Sequence, residues 1–155
     1  MATKATKPIA DPCVEITRDS RVKVAEHASA AIFLNMKRTT IRKVRIDECV
    51  VRKGIRCDWV ISKANCVDVL VELKGLDVNH AVDQLLKTIE MWRNHPLRGK
   101  NNKLAALVVC SQYPRVDTRI QRAKLTFASR YSTPLYISAR GGEFNFCELA
   151  TFPAK

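Results

Sequence analysis

With 155 residues and 46% apolar content, the chain has the size of one folded domain with a sizeable core. Lys and Arg number 27 against 15 Asp and Glu, a net charge of +12 that favours a polyanionic partner, although many proteins are basic merely for solubility. No continuous apolar stretch is long enough to span a bilayer and no basic amphipathic anchor stands out, so no membrane partner is expected.

Residues 1–14 are polar, carry two prolines and read as a loose N-terminal segment ahead of a single domain at 15–155. Across 20–35 (SRVKVAEHASAAIFLN), Val24, Ala25, Ala28, Ala31 and Ile32 recur at helical spacing and predict a first helix. Alternation over 39–45 and 48–52 predicts a strand broken near Asp47, and Lys53-Gly54 punctuates it. Two short apolar runs, 56–62 (RCDWVIS) and 67–75 (VDVLVELKG), predict neighbouring strands of a hairpin turning about Asn65. Asp77 is the predicted N-cap of a helix reaching about Arg93. Val78, Ala81, Val82, Leu85, Ile89 and Trp92 form its buried stripe, with Gln84 beside it. A loop of turn formers and cations leads to 104–110 (LAALVVC), whose unbroken apolar character predicts a strand covered on both faces. A helix over 115–131 turns Val116, Ile120, Ala123 and Phe127 to the core, and 134–138 with 143–149 predict a terminal hairpin about Gly141-Gly142. The order is that of an α/β protein with a mixed sheet: helix, three strands, helix, strand, then a C-terminal helix and hairpin.

The six cysteines, Cys13, Cys49, Cys57, Cys66, Cys110 and Cys147, form no CxxC pair, and four fall inside predicted strands. The first residues lack a hydrophobic signal core. Free buried thiols in a cytoplasmic protein are therefore expected. His27, His80 and His95 are scattered and read as surface or capping residues, while Trp59 and Trp92 read as packing.

Charges inside the predicted hairpin are its most informative residues. Alternation puts Cys57, Trp59 and Ile61 on one face of the first strand and Val69, Val71 and Leu73 on one face of the second. Asp58, Glu72 and Lys74 are left together on the opposite face. With the turn at Asn65, Asp58 lies directly across from Glu72 at a Cβ separation of ~5 Å, and Lys74 sits on the diagonal at ~7 Å. Two carboxylates that close repel each other unless a divalent cation lies between them. A bland alternative leaves Glu72 and Lys74 on the solvated face of an edge strand. It accounts less well for Asp58 on the same face, for Gly75 ending the strand and for a helix beginning at once.

Asp58 followed by Glu72-Leu73-Lys74, in strand, strand, helix order, resembles the signature of the PD-(D/E)xK (restriction-endonuclease-like) nuclease superfamily over about residues 15–112. Cys57 stands where many members carry Pro. The resemblance implies a restriction-endonuclease-like core, a mixed central sheet flanked by helices in the order α-β-β-β-α-β. It implies magnesium- or manganese-dependent hydrolysis of phosphodiester bonds. Asp58 and Glu72, with the backbone carbonyl of Leu73, would hold Mg²⁺ or Mn²⁺, and Lys74 would orient or help deprotonate the attacking water. Hard carboxylate oxygens suit that ion, and a nearby ammonium can hold hydroxide against phosphorus. Gln84 is similar to the Gln that exonuclease-type members carry on this helix, although Thr88 stands where those have Tyr; its other reading is a plain polar residue on the helix edge. Glu26 reads first as a surface residue, and second as the additional carboxylate that some members supply from a first helix.

Arg115, Arg119, Arg122 and Arg130 fall within a helical stripe about 80° wide with no acid interleaved, and are expected to contact phosphates. The basic loop over 93–103 is a second, weaker basic surface. The expected partner is nucleic acid, DNA ahead of RNA. A homodimer stays open, because small nucleases of this class often pair to cut two strands. The alternative function is a non-catalytic nucleic-acid-binding or partner-binding module on the same fold with a vestigial site. A complete Asp58, Glu72, Lys74 set speaks against it.

Overall fold

The two most apolar runs of the chain lie side by side in the middle of one sheet. The computed structural model describes residues 11–26, 29–54, 56–73, 77–112, 118–139 and 141–152. In chain order the elements are β1 (Val14–Thr17), β2 (Arg21–Glu26), β3 (Ser29–Leu34), β4 (Ile41–Arg45), β5 (Trp59–Lys63), β6 (Val67–Leu73), α1 (Val78–Trp92), β7 (Lys103–Cys110), α2 (Thr118–Tyr131), β8 (Leu135–Ala139), β9 (Glu143–Asn145) and α3 (Phe146–Leu149). β1, β4, β5, β6, β7 and β8 form a mixed sheet in that order. Its first four strands are antiparallel neighbours, whereas β6, β7 and β8 are parallel. Parallel neighbours need crossovers, and α1 and α2 supply them.

Both helices cover one face of the sheet, where Val44, Val60, Leu70, Ala106 and Val108 pack against Leu85, Ile89, Trp92 and Phe127. A second sheet, β2-β3-β9, covers the other face together with α3; there Ile61, Val69, Val71, Leu107 and Val109 meet Val22, Phe33 and Phe146. Double coverage explains why β6 is buried along its whole length and β7 from Leu104 onward, and why neither alternates in sequence. α1 follows its sequence pattern: Asp77 caps it by accepting the His80 N–H at 3.0 Å, and all six expected stripe residues are buried. Asn65 makes the β5–β6 turn with φ +58°, the left-handed conformation that Asn tolerates. Among the described residues, no helix is long and apolar enough to cross a membrane.

Four expectations are corrected. The first helix over 20–35 is instead the β2–β3 hairpin, with Val22 and Val24 alternating inward on one strand and Ala31 and Phe33 on the other. Phe33 packs on Phe144 and Phe146, so distant residues select the strand period there. The terminal hairpin does not form: β8 adds to β7 in the large sheet, while β9 adds to β3 in the small one and 146–149 is helical. Gly141 and Gly142 do turn, both at positive φ, but they carry the chain from one sheet to the other. After β4, residues 46–50 form a turn rather than a continued strand, closed by a bridge between Asp47 and Val51. That turn brings Cys49 to Cys13, and the two form a disulfide with Cα atoms 5.6 Å apart. Cys57, Cys66, Cys110 and Cys147 are free, but only Cys57 and Cys110 are buried. Free thiols throughout the chain were therefore the wrong expectation, and cysteine usage no longer argues for a reducing compartment. Ala28, His27, Gly75, Val116 and residues 1–10 lie outside the described residues.

Candidate functional site

β5 pairs with β6 as Trp59↔Val71, Val60↔Leu70 and Ile61↔Val69, and the pairing ends at Trp59, with Asp58 just before this first paired residue. Asp58 lies in a bend ahead of the ladder and still bonds to β6. Its N–H donates to the Val71 carbonyl at 3.2 Å, and its Oδ2 accepts the Leu73 N–H at 2.8 Å. Glu72 shares the side of β6 that Leu70 presents to the helices, and it is only 1% exposed. Asp58 is half-buried. A buried acid on β6 and a half-buried acid ahead of β5 thus sit at the same end of the hairpin.

Cys57 lies on this helix face, not with Trp59 and Ile61 as alternation implies, because the ladder starts only after it. Burial first, then the negative charge of Glu72 and, less strongly, that of Asp58, push its thiol far above the usual cysteine range. A neutral thiol therefore lines the acids.

The helix α1 clamps the segment that delivers Asp58. Thr88 Oγ1 accepts the Cys57 N–H at 2.7 Å and donates to the Gln84 carbonyl at 2.8 Å. Gln84 Nε2 donates to the Arg56 carbonyl at 3.0 Å, and no described residue donates to its buried Oε1. From the other side, Arg56 Nε binds Asp47 Oδ1 at 2.6 Å and the Ile46 N–H donates to the Asp58 carbonyl at 3.0 Å. Gln84 is thus brought to the segment preceding Asp58, where it holds backbone.

Lys74 and Arg115 lie outside the described residues. The side chain of Leu73 is buried on the small-sheet side of β6, which leaves only its backbone for the site. Glu26, at the end of β2, pairs with Arg45 at 3.5 Å, and Arg45 lies over Trp59 at 5.7 Å. Trp59 packs on the small-sheet side, so Glu26 serves the face opposite Glu72 and is not brought to the pair. Arg119, Arg122 and Arg130 are exposed along α2. Both crossovers leave from the carboxyl ends of the parallel strands, so the first turn of α2 lies at the same end of the sheet as Glu72, where open α/β sheets commonly bind ligands.

One buried acid was missed from the sequence. Asp68 is 0% exposed and accepts hydrogen bonds from Ser62, Trp92, Gly99 and Asn102. Its signal was present: it shares the strand parity of Glu72 inside a run covered on both faces. Its partners come from three other segments, which no local pattern identifies.

Among the described residues, no three His, Cys, Asp or Glu side chains gather to hold a metal ion. The oxygen set at hand is Asp58, Glu72 and the Leu73 carbonyl, which suits a hard divalent cation such as Mg²⁺ or Mn²⁺ better than a thiophilic one. Comparison with protein-family models, with curated proteins and with solved structures finds no match to this chain. The fold is that of a mixed α/β protein with a central mixed sheet, and Glu72 lies near the carboxyl end of its strand β6.

Proposed function

We propose that the chain is a metal-dependent nuclease on a restriction-endonuclease-like core, hydrolysing phosphodiester bonds of nucleic acid, DNA ahead of RNA. The observation that carries this reading is that Asp58, whose carboxylate accepts the Leu73 N–H, and the buried Glu72 of β6 lie close enough for both charges to act on the Cys57 thiol. Hard carboxylate oxygens gathered at one end of a sheet are the donors a divalent cation prefers. Bound between them, Mg²⁺ or Mn²⁺ would neutralise the acids and stabilise charge on the scissile phosphate. The fold supports the same reading: β4, β5 and β6 form an antiparallel meander, α1 crosses over, and β7 lies parallel to β6. Such a core would have this β-β-β-α-β order, and where it would have its first helix this chain has the β2–β3 hairpin.

Each residue then has a task. Asp58, Glu72 and the Leu73 carbonyl hold the ion, and Lys74 orients the attacking water. Gln84 and Thr88 fix the segment that carries Asp58. Arg119, Arg122 and Arg130, with Arg115, contact backbone phosphates.

A cleavage panel of plasmid, oligonucleotide and RNA with Mg²⁺, Mn²⁺ or chelator tests the proposal. Wild type should cut only with a divalent ion, and Asp58→Ala should lose both cleavage and calorimetric Mn²⁺ binding. Lys74→Ala should lose cleavage while retaining metal and nucleic-acid affinity, because its task lies in the transition state. A folded wild type that cuts nothing with either ion would give way to the non-catalytic module. Equal Mn²⁺ binding by Asp58→Ala would remove the metal site.

A further inference from the structure

We infer that a second phosphate-binding site lies between the carboxyl ends of α1 and α2, and that it holds the backbone of duplex DNA remote from the Asp58–Glu72 pair. The inference rests on the nuclease reading for its ligand. A cavity of about 290 Å³ opens there, lined by Arg93, Arg98, Lys103, Arg130, Tyr131 and Ser132. Four of these are cations, and none of the lining residues is acidic.

The cations are held in place. Arg93 and Arg130 both lie over the Tyr131 ring, at 5.5 and 5.6 Å from its centroid. Arg98 Nη1 donates to the Arg93 carbonyl at 2.8 Å, and Nη2 to the Asn102 carbonyl at 3.1 Å. Beneath the loop, Asp68 binds the Gly99 N–H at 3.0 Å and the Trp92 indole at 2.9 Å, which anchors both ends of the basic segment. Cations at helix carboxyl ends ordinarily offset the dipole. Two helix ends carry roughly one negative charge in total, so four cations leave a surplus of about three. Like charges gathered at fixed positions repel, and a phosphate accepting guanidinium forks relieves that repulsion.

The placement suits a continuous strand. Lys103 pairs with Val67 and Val108 with Glu72. Five residues at ~3.3 Å put the pocket roughly 17 Å along the strands from Glu72. α2 runs back over the same length, since the eleven residues from Arg119 to Arg130 rise about 16 Å. On B-form DNA that distance is about five base-pair steps. Arg119 and Arg122 stand at the cutting end of this track, and the pocket closes the other end.

Anisotropy with a fluorescein-labelled duplex of about 20 base pairs, Ca²⁺ replacing Mg²⁺, reads the site through the salt dependence of binding. Arg93→Gln with Arg130→Gln should weaken binding about tenfold and flatten the log–log salt slope by about one to two, whereas Lys103→Gln should flatten it by about one. Thermal melts establish folding, and Lys103→Gln decides the matter if the double variant does not fold. Wild-type affinity and slope in folded pocket variants of an enzyme that still cuts would overturn the pocket alone. Pocket-dependent binding by a protein that cuts nothing would uphold the pocket and overturn the nuclease reading. A wild type that binds no duplex would overturn the pocket.

Discussion

Asp68 accepts four hydrogen bonds, from Ser62 Oγ at 2.5 Å, Asn102 Nδ2 at 2.7 Å, Trp92 Nε1 at 2.9 Å and Gly99 N at 3.0 Å. Each carboxylate oxygen takes two donors, so a charge buried in the sheet is replaced by fixed dipoles rather than by water. Asp68→Asn would turn an amide N–H₂ toward two of those donors. It should cost about 2–3 kcal/mol in urea unfolding, the range for breaking buried bonds to a charged group. A loss below ~0.5 kcal/mol would show that the node is not holding the loop. Glu72, four residues further along the same face, is only 1% exposed and lies near the neutral Cys57 thiol. Of the two acids of this strand, Asp68 thus has a structural task that its hydrogen bonds make visible, and the task proposed for Glu72 is to hold a cation.

At the level of elements, the turn after β4 links the disulfide to the site. β1 pairs with β4 in the register Val14↔Val44, and the Arg45 N–H donates to the Cys13 carbonyl at 2.9 Å. That pairing carries Cys13 to Cys49, and the same turn donates the Ile46 N–H to the backbone of Asp58. Cross-linking residues 36 apart restricts the unfolded chain, so reduction should lower stability by about 2–4 kcal/mol. Urea melts with and without reductant, and of Cys13→Ser with Cys49→Ser, measure it. A midpoint unmoved by both would mean that the crosslink contributes nothing to folding. The helix α1 holds the same segment from the opposite side through Thr88 and Gln84, so Asp58 is fixed by two elements rather than by its own strand alone.

Over the whole molecule the charge of +12 is unevenly used. α2 (Thr118–Tyr131) contains no acid and exposes Arg119, Arg122 and Arg130, and elsewhere Arg21 lies against Glu143, Lys43 against Glu15, Arg45 against Glu26 and Arg56 against Asp47. Phosphate contacts by α2 would make affinity fall steeply with salt, without reading sequence. Arg119→Gln with Arg122→Gln should weaken binding equally on unrelated sequences and flatten the salt slope by about one to two. Exposed replacements of this kind shift stability by less than ~0.5 kcal/mol, so a melt controls for folding. An unchanged slope would return α2 to the role of a solvated face.

Local signals determined the parts of this protein that are complete within one segment. The cap and stripe of α1, the turn at Asn65, the doubly covered run of β7 and the pairing of the two runs about that turn each depend on residues near in sequence, where spacing alone sets the outcome. The remainder was decided by partners far along the chain. Val24, Ala31 and Ile32 satisfy a helical period as well as Val22, Val24, Ala31 and Phe33 satisfy a strand period. Packing of Phe33 on Phe144 and Phe146 selects the second. Pairing of β9 with β3 rather than β8, the joining of Cys13 to Cys49, the donors around Asp68 and the return of Cys57 to the helix face arise in the same way. A periodic pattern states which side of an element is apolar. Only tertiary structure supplies the surface that side meets, and that surface decides between patterns of equal local quality.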